Sequence, residues 1–174
     1  MTNRLLKRRS VFALAAVLGT VGTAKARRRK AGASGKDVMA IPADNPVFGK
    51  SVKAFERYGY SPAVAAGGLL FIAGVVGART DGSIADTVEE QAELIFTRIS
   101  EILRLAGLST SDLVEITSYH VGVSSTLPAL TRAKDRHLSG PLPAWNIIGV
   151  ESLASPSLKL EVRSVAAMRK RGAT

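Results

Sequence analysis

Cysteine is absent from the 174 residues, and only two histidines occur, His120 and His137. The chain therefore cannot form a disulfide or use a thiol nucleophile, and it lacks the thiolate and imidazole ligands of an ordinary zinc site. The sequence also contains no phosphate-binding loop, no dinucleotide-binding glycine motif and no cluster of metal ligands. We expect neither a cofactor nor a metal, so any chemistry must use carboxylate, imidazole, hydroxyl or amide groups.

Acidic residues are missing from residues 1–36, which hold ten of the 24 Lys and Arg residues. The rest of the chain has 14 basic and 14 acidic residues, so the net charge of +10 comes from the N-terminal segment. Aromatic residues make up only 5% of the sequence. A neutral folded part with few aromatic side chains offers no track for phosphates and bases, and we expect no nucleic-acid partner.

A hydrophobic run long enough to span a membrane is also missing. The apolar run at 11–22 has 12 residues, which at about 1.5 Å each cover roughly 18 Å of the ~30 Å hydrocarbon core. It follows Arg8-Arg9-Ser10 and precedes Ala24-Lys25-Ala26, so residues 1–26 resemble a twin-arginine export signal. We expect a periplasmic or otherwise exported protein that contacts the twin-arginine machinery transiently. The alternative is an uncleaved basic tail on a cytoplasmic protein.

The remaining sequence divides by composition and periodicity. Residues 27–50 are interpreted as a basic, flexible linker, residues 51–168 as the folded domain and residues 169–174 as a basic tail. Apolar spacing in the domain predicts the order ββαβαββ, with strands at 64–66, 69–76, 113–123, 145–150 and 158–167 and helices at 88–106 and 125–138.

The first predicted helix opens on a capping box, Thr87 to Glu90, and ends at Gly107. Its polar side chains are expected on the solvent face: Glu89, Glu93, Arg98, Glu101 and Arg104. The element order predicts an α+β sandwich with one mixed sheet and both helices on one face. The other sheet face then needs a cover, which predicts self-association with ligand clefts between subunits.

Short motifs in this order resemble the RidA/YjgF (Rid) family across residues 56–168. They are Tyr60-Ser61-Pro62-Ala63, Leu70-Phe71-Ile72-Ala73-Gly74, Val88-Glu89-Glu90-Gln91, Ala106-Gly107-Leu108, Tyr119, Pro143-Ala144, Leu160-Glu161-Val162 and Val165-Ala166. The resemblance implies a chorismate-mutase-like fold in a homotrimer. It also implies hydrolysis of reactive 2-imino acids to 2-keto acids and ammonia.

The chain departs from the family at two places. Where active deaminases have an arginine that pairs with the substrate carboxylate, this chain has Trp145, whose single N–H cannot replace a guanidinium. Where they have Ser-Gly-Gln, it has Ala73-Gly74-Val75. The sequence is similar to an arginine-lacking, YjgH-like branch, and the missing arginine indicates a ligand without a negative charge.

Glu161 and His120 are the catalytic candidates. Glu161 matches the family glutamate that positions or activates water, although Lys159 and Arg163 on the same strand face also fit a simple salt bridge. His120 could share proton transfer or be a hydrogen-bonded strand residue. The resemblance adds ligand-binding candidates, which are Tyr60, Ser61, Ala73, Trp145 and Asn146.

Three of the ligand-binding candidates have a structural alternative. Trp145 fits a cleft wall or an anchor between subunits. Asn146 fits a ligand contact or a hydrogen bond to nearby backbone. Tyr60 fits the rim of a cleft or ordinary packing.

The sequence leaves four interpretations of the function open. The first is a hydrolase or deaminase relative that acts on a small, non-anionic metabolite between subunits. The second is a non-catalytic trimer that binds or scavenges a small metabolite. A 2-iminobutanoate/2-iminopropanoate deaminase is the minor alternative, and a purely structural trimer is the last.

Overall fold

The computed structural model describes residues 35–168, which form six strands and three α-helices. The predicted export signal, the first part of the predicted linker and the basic tail lie outside this range. In chain order the elements are β1 (Lys36–Met39), α1 (Lys53–Arg57), β2 (Ala63–Ala66), β3 (Leu69–Val76), α2 (Val88–Leu105), β4 (Leu113–Val121), α3 (Val123–His137), β5 (Ala144–Val150) and β6 (Leu160–Ala167).

The strands form one mixed sheet in the order β1-β2-β3-β6-β4-β5. The β4–β5 pair is parallel and the other pairs are antiparallel. The long helices α2 and α3 pack against each other and against this sheet, so the predicted α+β arrangement with ββαβαββ order is confirmed. The structure adds β1 and α1 before the predicted elements.

Helix α2 begins and ends where the sequence signals indicate. The Thr87 side chain accepts a hydrogen bond from the Glu90 N–H at 3.2 Å, and Gly107 follows the helix with φ +74°. Two side chains that the sequence placed on the solvent face are buried instead, Arg98 and Glu101. Glu101 accepts hydrogen bonds from Asn45 and Arg104, whereas Arg98 has no carboxylate partner among residues 35–168.

Most of the segment from residue 36 to 50, which was assigned to the flexible linker, belongs to the folded unit. Strand β1 pairs with β2, and Ile41 and Phe48 lie in the core with Phe48 only 2% exposed. Asn45 donates a hydrogen bond to Glu101 at 2.6 Å and ties the segment to α2. The linker assignment was wrong for residues 36–50, because these few apolar side chains outweigh the small-residue composition.

The sheet face opposite the helices carries an apolar row across four strands. Val38, Val64, Phe71 and Val165 are register partners in β1, β2, β3 and β6. Phe71 and Val38 are both more than one third exposed. Among residues 35–168, no helix is long and apolar enough to cross a membrane.

The new role of the N-terminal segment is testable with Phe48→Ala. Loss of a buried phenylalanine from the core should lower the free energy of unfolding by about 3–5 kcal/mol, measured by urea denaturation of the full chain. Asp44→Ala, an exposed change in the same segment, should alter it by less than about 0.5 kcal/mol. Equal midpoints for the two variants would contradict the packing of this segment in the core.

Candidate functional site

A pocket of about 820 Å³ lies where β2 stops covering β3. Pairing of β2 with β3 ends at Ala63 and Ile72, so the remainder of β3 has a free edge on that side. The segment 48–62 crosses this edge, and the Ala73 N–H donates to the Pro62 carbonyl at 3.0 Å. Helix α2 supplies the inner wall of the pocket. The volume lies in the range of small-ligand sites.

Glu161 enters this pocket across the backbone of β3. Leu160 and Val162 are in the core, so the alternation of β6 directs Glu161 to the opposite face of the sheet. The β3–β6 register shifts between Ile72 and Val75, and Gly74 lies in that irregularity. A Cβ atom on Gly74 would overlap the Glu161 Oε1 atom. The carboxylate can occupy this position only because residue 74 has no side chain.

The Glu161 carboxylate has no ion-pair partner within residues 35–168. The flanking Lys159 donates to the Pro156 carbonyl, and Arg163 lies 3.7 Å from a Glu115 oxygen. Desolvation by burial raises the pKa of Glu161 above the ordinary value of 4.5. Such a carboxyl group can exchange a proton nearer to neutral pH than an exposed glutamate can.

Tyr60 and Ala73 line the same pocket as Glu161. The Tyr60 ring packs edge-on against Phe55 at 5.1 Å between centroids. Burial raises the pKa of the Tyr60 phenol, the charge of Glu161 raises it further, and the charge of Arg98 opposes both. The structure therefore brings together three of the residues proposed from the sequence. Ser61 lies beside them in an adjoining groove.

His120 is not part of this pocket. In the β4–β6 register His120 is opposite Leu160, whereas Glu161 is opposite Tyr119, so His120 and Glu161 lie on different faces of the sheet. The imidazole is fully buried, with Nδ1 2.8 Å from the Thr126 hydroxyl and Nε2 2.9 Å from the Ser118 hydroxyl. Burial lowers its pKa. This geometry fits the alternative that His120 is a hydrogen-bonded strand residue. It also places the imidazole away from Glu161, the candidate base.

Trp145 and Asn146 also lie away from the Glu161 pocket within the chain. Trp145 is opposite Ile116 on the helix side, where its indole N–H donates to Ser118 at 2.8 Å. The ammonium of Lys134 lies 5.5 Å from its ring centroid. Asn146 is exposed on the edge strand β5. Within one subunit, Trp145 and Glu161 therefore do not line the same pocket.

Arg98 is the pocket residue that the sequence interpretation missed. It lines the pocket beside Tyr60 and Glu161 although it belongs to α2. Its position was detectable, because residue 98 follows Ile95 by three and precedes Ile102 by four. Those steps place the three side chains in one stripe of a helix. The charge of the guanidinium had suggested the solvent face instead.

Known proteins share this fold and this stretch of sequence. The chain is 30% identical over 109 residues to the RutC family protein YjgH of Escherichia coli K12, covering 62% of this chain and 83% of the relative. It is 24% identical over 108 residues to a 2-iminobutanoate/2-iminopropanoate deaminase of Dermatophagoides farinae, covering 61% and 83%. A solved structure of protein YJGH superposes with a TM-score of 0.63 at 28% identity, covering 76% of this chain and all of that one.

The family profile described as Endoribonuclease L-PSP matches residues 50–168. That range includes the pocket-lining part of β3, helix α2 and all of β6. Three findings agree: the resemblance in the short motifs, the mixed sheet with its helices on one face, and the match to the family profile. The chain therefore belongs to the Endoribonuclease L-PSP family, the family of the RidA/YjgF proteins.

Proposed function

We propose that the protein is a Rid-type hydrolase that converts a small imine to a carbonyl compound and ammonia, with Glu161 as the proton-transferring group. The observation that carries the proposal is the carboxylate of Glu161, which reaches over Gly74 into the pocket and has no ion pair within the described residues. Tyr60 supplies a hydroxyl in the same pocket. Family membership supports this class of reaction.

The proposed reaction needs one water molecule and no cofactor. Glu161 accepts a proton from water as the water oxygen bonds to the imine carbon, and it passes that proton to the imine nitrogen to give a carbinolamine. Glu161 then accepts the hydroxyl proton and passes it to the amine nitrogen. The C–N bond breaks, its electron pair leaves with ammonia, and the C=O bond forms.

A non-catalytic protein that binds or scavenges a small metabolite is the second candidate. The substitutions at 73 and 145 favour it, because both remove polar groups that active family members present to their substrate. Saturable binding without turnover would identify this function. The name of the D. farinae relative makes 2-iminobutanoate the first substrate to test.

We also propose that the chain assembles as a homotrimer, as the family resemblance implies. The apolar row across β1, β2, β3 and β6 supports burial of the sheet face opposite the helices. Ile148 on the edge strand β5 is 41% exposed and belongs to the same face, because its register partner is Tyr119 and the partner of Tyr119 in β6 is Glu161. Trp145 and Asn146 could then contribute to a site between subunits.

Replacement of the proposed acid–base group should abolish most turnover. Glu161→Gln keeps the shape of the side chain but cannot carry the proton, so the rate should fall by about 10²- to 10⁴-fold. The assay is ammonia release from 2-iminobutanoate generated in situ by an amino-acid oxidase. Glu115→Gln, on the same sheet face but outside the pocket, is the matched control and should keep the unaltered rate.

Gly74→Ala tests the same carboxylate by displacement. The new methyl group would force the Glu161 side chain out of its position, so turnover should fall toward the Glu161→Gln rate while the chain stays folded. Full activity of Glu161→Gln on every substrate that the protein turns over would rule out this residue as the base.

The pH dependence should show the raised pKa of Glu161. The base acts as a carboxylate, so kcat/KM should fall as the pH decreases through a pKa that lies above 4.5. Dividing the rate of the unaltered protein by the rate of Glu161→Gln at each pH cancels the pH dependence that belongs to the substrate. A ratio that stays constant from neutral pH down to 4.5 would contradict proton transfer by Glu161.

The assembly is testable by light scattering. The full chain should have a mass three times the 18.3 kDa of one copy. Phe71→Lys places a charge in the apolar row and should shift the mass toward a single copy without loss of helical circular dichroism, because Phe71 is on the surface of the subunit. An unaltered protein with the mass of one copy would refute the proposed trimer.

A further inference from the structure

His120 is the centre of a buried hydrogen-bond network that the proposed reaction does not use. Its Nδ1 atom lies 2.8 Å from the Thr126 hydroxyl, and its Nε2 atom lies 2.9 Å from the Ser118 hydroxyl. The Ser118 oxygen also accepts a hydrogen bond from the indole N–H of Trp145 at 2.8 Å. These four side chains, the His120 network, connect the start of α3, strand β4 and the edge strand β5.

The partners of the two hydroxyl groups determine where the imidazole carries its proton. The Thr126 hydroxyl donates its single proton to the Gly122 carbonyl at 2.9 Å, so its oxygen accepts from Nδ1 of His120. In a neutral imidazole the Nε2 atom then has no proton, and it accepts from the Ser118 hydroxyl. The neutral ring is therefore the Nδ1–H tautomer, and both of its nitrogens are paired.

The Ser118 hydroxyl has a second acceptor, so the network has a second arrangement. The Ser118 oxygen lies 3.3 Å from the backbone carbonyl of Asn146 in β5. When a proton binds to Nε2 of His120, that nitrogen becomes a donor to the Ser118 oxygen, and the Ser118 proton must turn to the Asn146 carbonyl. The Ser118 oxygen then accepts from both His120 and Trp145. Uptake of one proton thus reverses one hydrogen bond and directs another to the backbone of β5.

The immediate surroundings of His120 favour the neutral ring. The side chain is fully buried, and burial lowers its pKa below the ordinary value of 6.5. Its register partners are Gly149 in β5 and Leu160 in β6, neither of which is titratable. On α3 it contacts Thr126 in the first turn, where the partial positive charge of the helix end disfavours a cation. The charged residues of β4 and β6 lie on the opposite face of the sheet; they are Glu115, Glu161 and Arg163.

The charged groups of the two packed helices are paired with one another. The ammonium of Lys134 lies 5.5 Å from the Trp145 ring centroid and forms an ion pair with Asp135. The acidic side chains of α2 that face α3 are held by basic residues of α3; the pairs are Glu89 with Arg132, and Glu93 with Arg136 and His137. Within residues 35–168, no carboxylate lies within ion-pair distance of His120. A protonated His120 would therefore be a buried cation without a counter-ion, which is unfavourable.

We propose that the His120 network is a pH-sensitive switch built into the edge of the sheet. With a neutral His120, the Ser118 hydroxyl joins the imidazole to Trp145 and fixes β5 against β4 and α3. With a protonated His120, the Ser118 proton turns to the Asn146 carbonyl, and the unpaired buried charge loosens the packing of Trp145 and β5. The inference goes beyond the proposed function, because the network contains no residue of the Glu161 pocket.

Trp145 reports on the network directly, because it is the only tryptophan in the chain. Acidification of the full chain should change the fluorescence of Trp145 in a one-proton transition below pH 6.5, while the helical circular dichroism is kept. The transition should be absent in His120→Gln, which cannot take up the proton. His137→Gln is the matched control, since it removes the other histidine of the chain and should keep the transition. Retention of the transition in folded His120→Gln would overturn the proposal.

A second measurement does not depend on the folding of His120→Gln. In the unaltered protein labelled with ¹⁵N-histidine, the His120 ring should carry its proton on Nδ1 at neutral pH, and Nε2 should gain a proton over the pH range of the Trp145 transition. The spectrum of His137→Gln assigns the resonances. A proton on Nε2 at neutral pH, a pKa of His120 at or above 6.5, or protonation without a change at Trp145 would each overturn the switch. So would protonation that occurs only as the whole chain unfolds.

The switch also predicts the direction in which stability changes with pH. Because the pKa of His120 in the folded chain lies below 6.5, its contribution to stability is complete above pH 6.5 and is lost as the pH falls toward the folded pKa. Over that range each pH unit should raise the unfolding equilibrium constant by up to about tenfold. Urea denaturation should show this loss in the unaltered protein and in His137→Gln, beyond the loss in His120→Gln. An equal loss in all three would contradict the proposal.

Discussion

The close approach of the Glu161 carboxylate to the backbone of Gly74 is the contact on which the pocket depends. Strand β6 must direct Leu160 and Val162 into the core, so Glu161 is forced to the other face. A flat strand would leave that carboxylate on the open sheet. The register shift in β3 and the missing side chain at Gly74 let it cross the strand, where burial raises its pKa.

The same pocket depends on a segment distant in sequence. Because β2 is short, the last part of β3 has no neighbouring strand on the β2 side, and residues 48–62 cover that edge. Arg98 donates a hydrogen bond to Ser51 and contacts the Phe48 ring, so this buried guanidinium stabilises the pocket wall. The same contacts therefore pack the N-terminal segment and shape the pocket.

Local patterns predicted most of the fold. The N-cap at Thr87, the helical spacing of α2 and the alternation in β6 depend on neighbouring residues, and each matches the structure. The second half of the capping box is missing, because the Glu90 carboxylate accepts from Arg79 instead. Strand β1 was missed because its four residues carry no clear alternation, and it is a strand only because β2 pairs with it. Glu161, Tyr60 and Ala73 were identified through motifs of the family resemblance, and they share one pocket.

The candidates that failed to join the pocket show what residue type alone cannot decide. His120 and Trp145 are chemically suited to a site, yet the register of the sheet turns both toward the helices, where they share the Ser118 hydroxyl. A shift of one residue in the pairing register moves every side chain of a strand to the opposite face of the sheet, so residue type alone does not decide the face.

The sequence by itself determined the family, the order of the elements and the carboxylate that reaches the pocket, because these depend on short-range patterns. Only the tertiary structure decided which groups accompany that carboxylate. It buried Arg98 and turned Trp145 away, because the position of a side chain in a pocket depends on contacts between segments far apart in the chain.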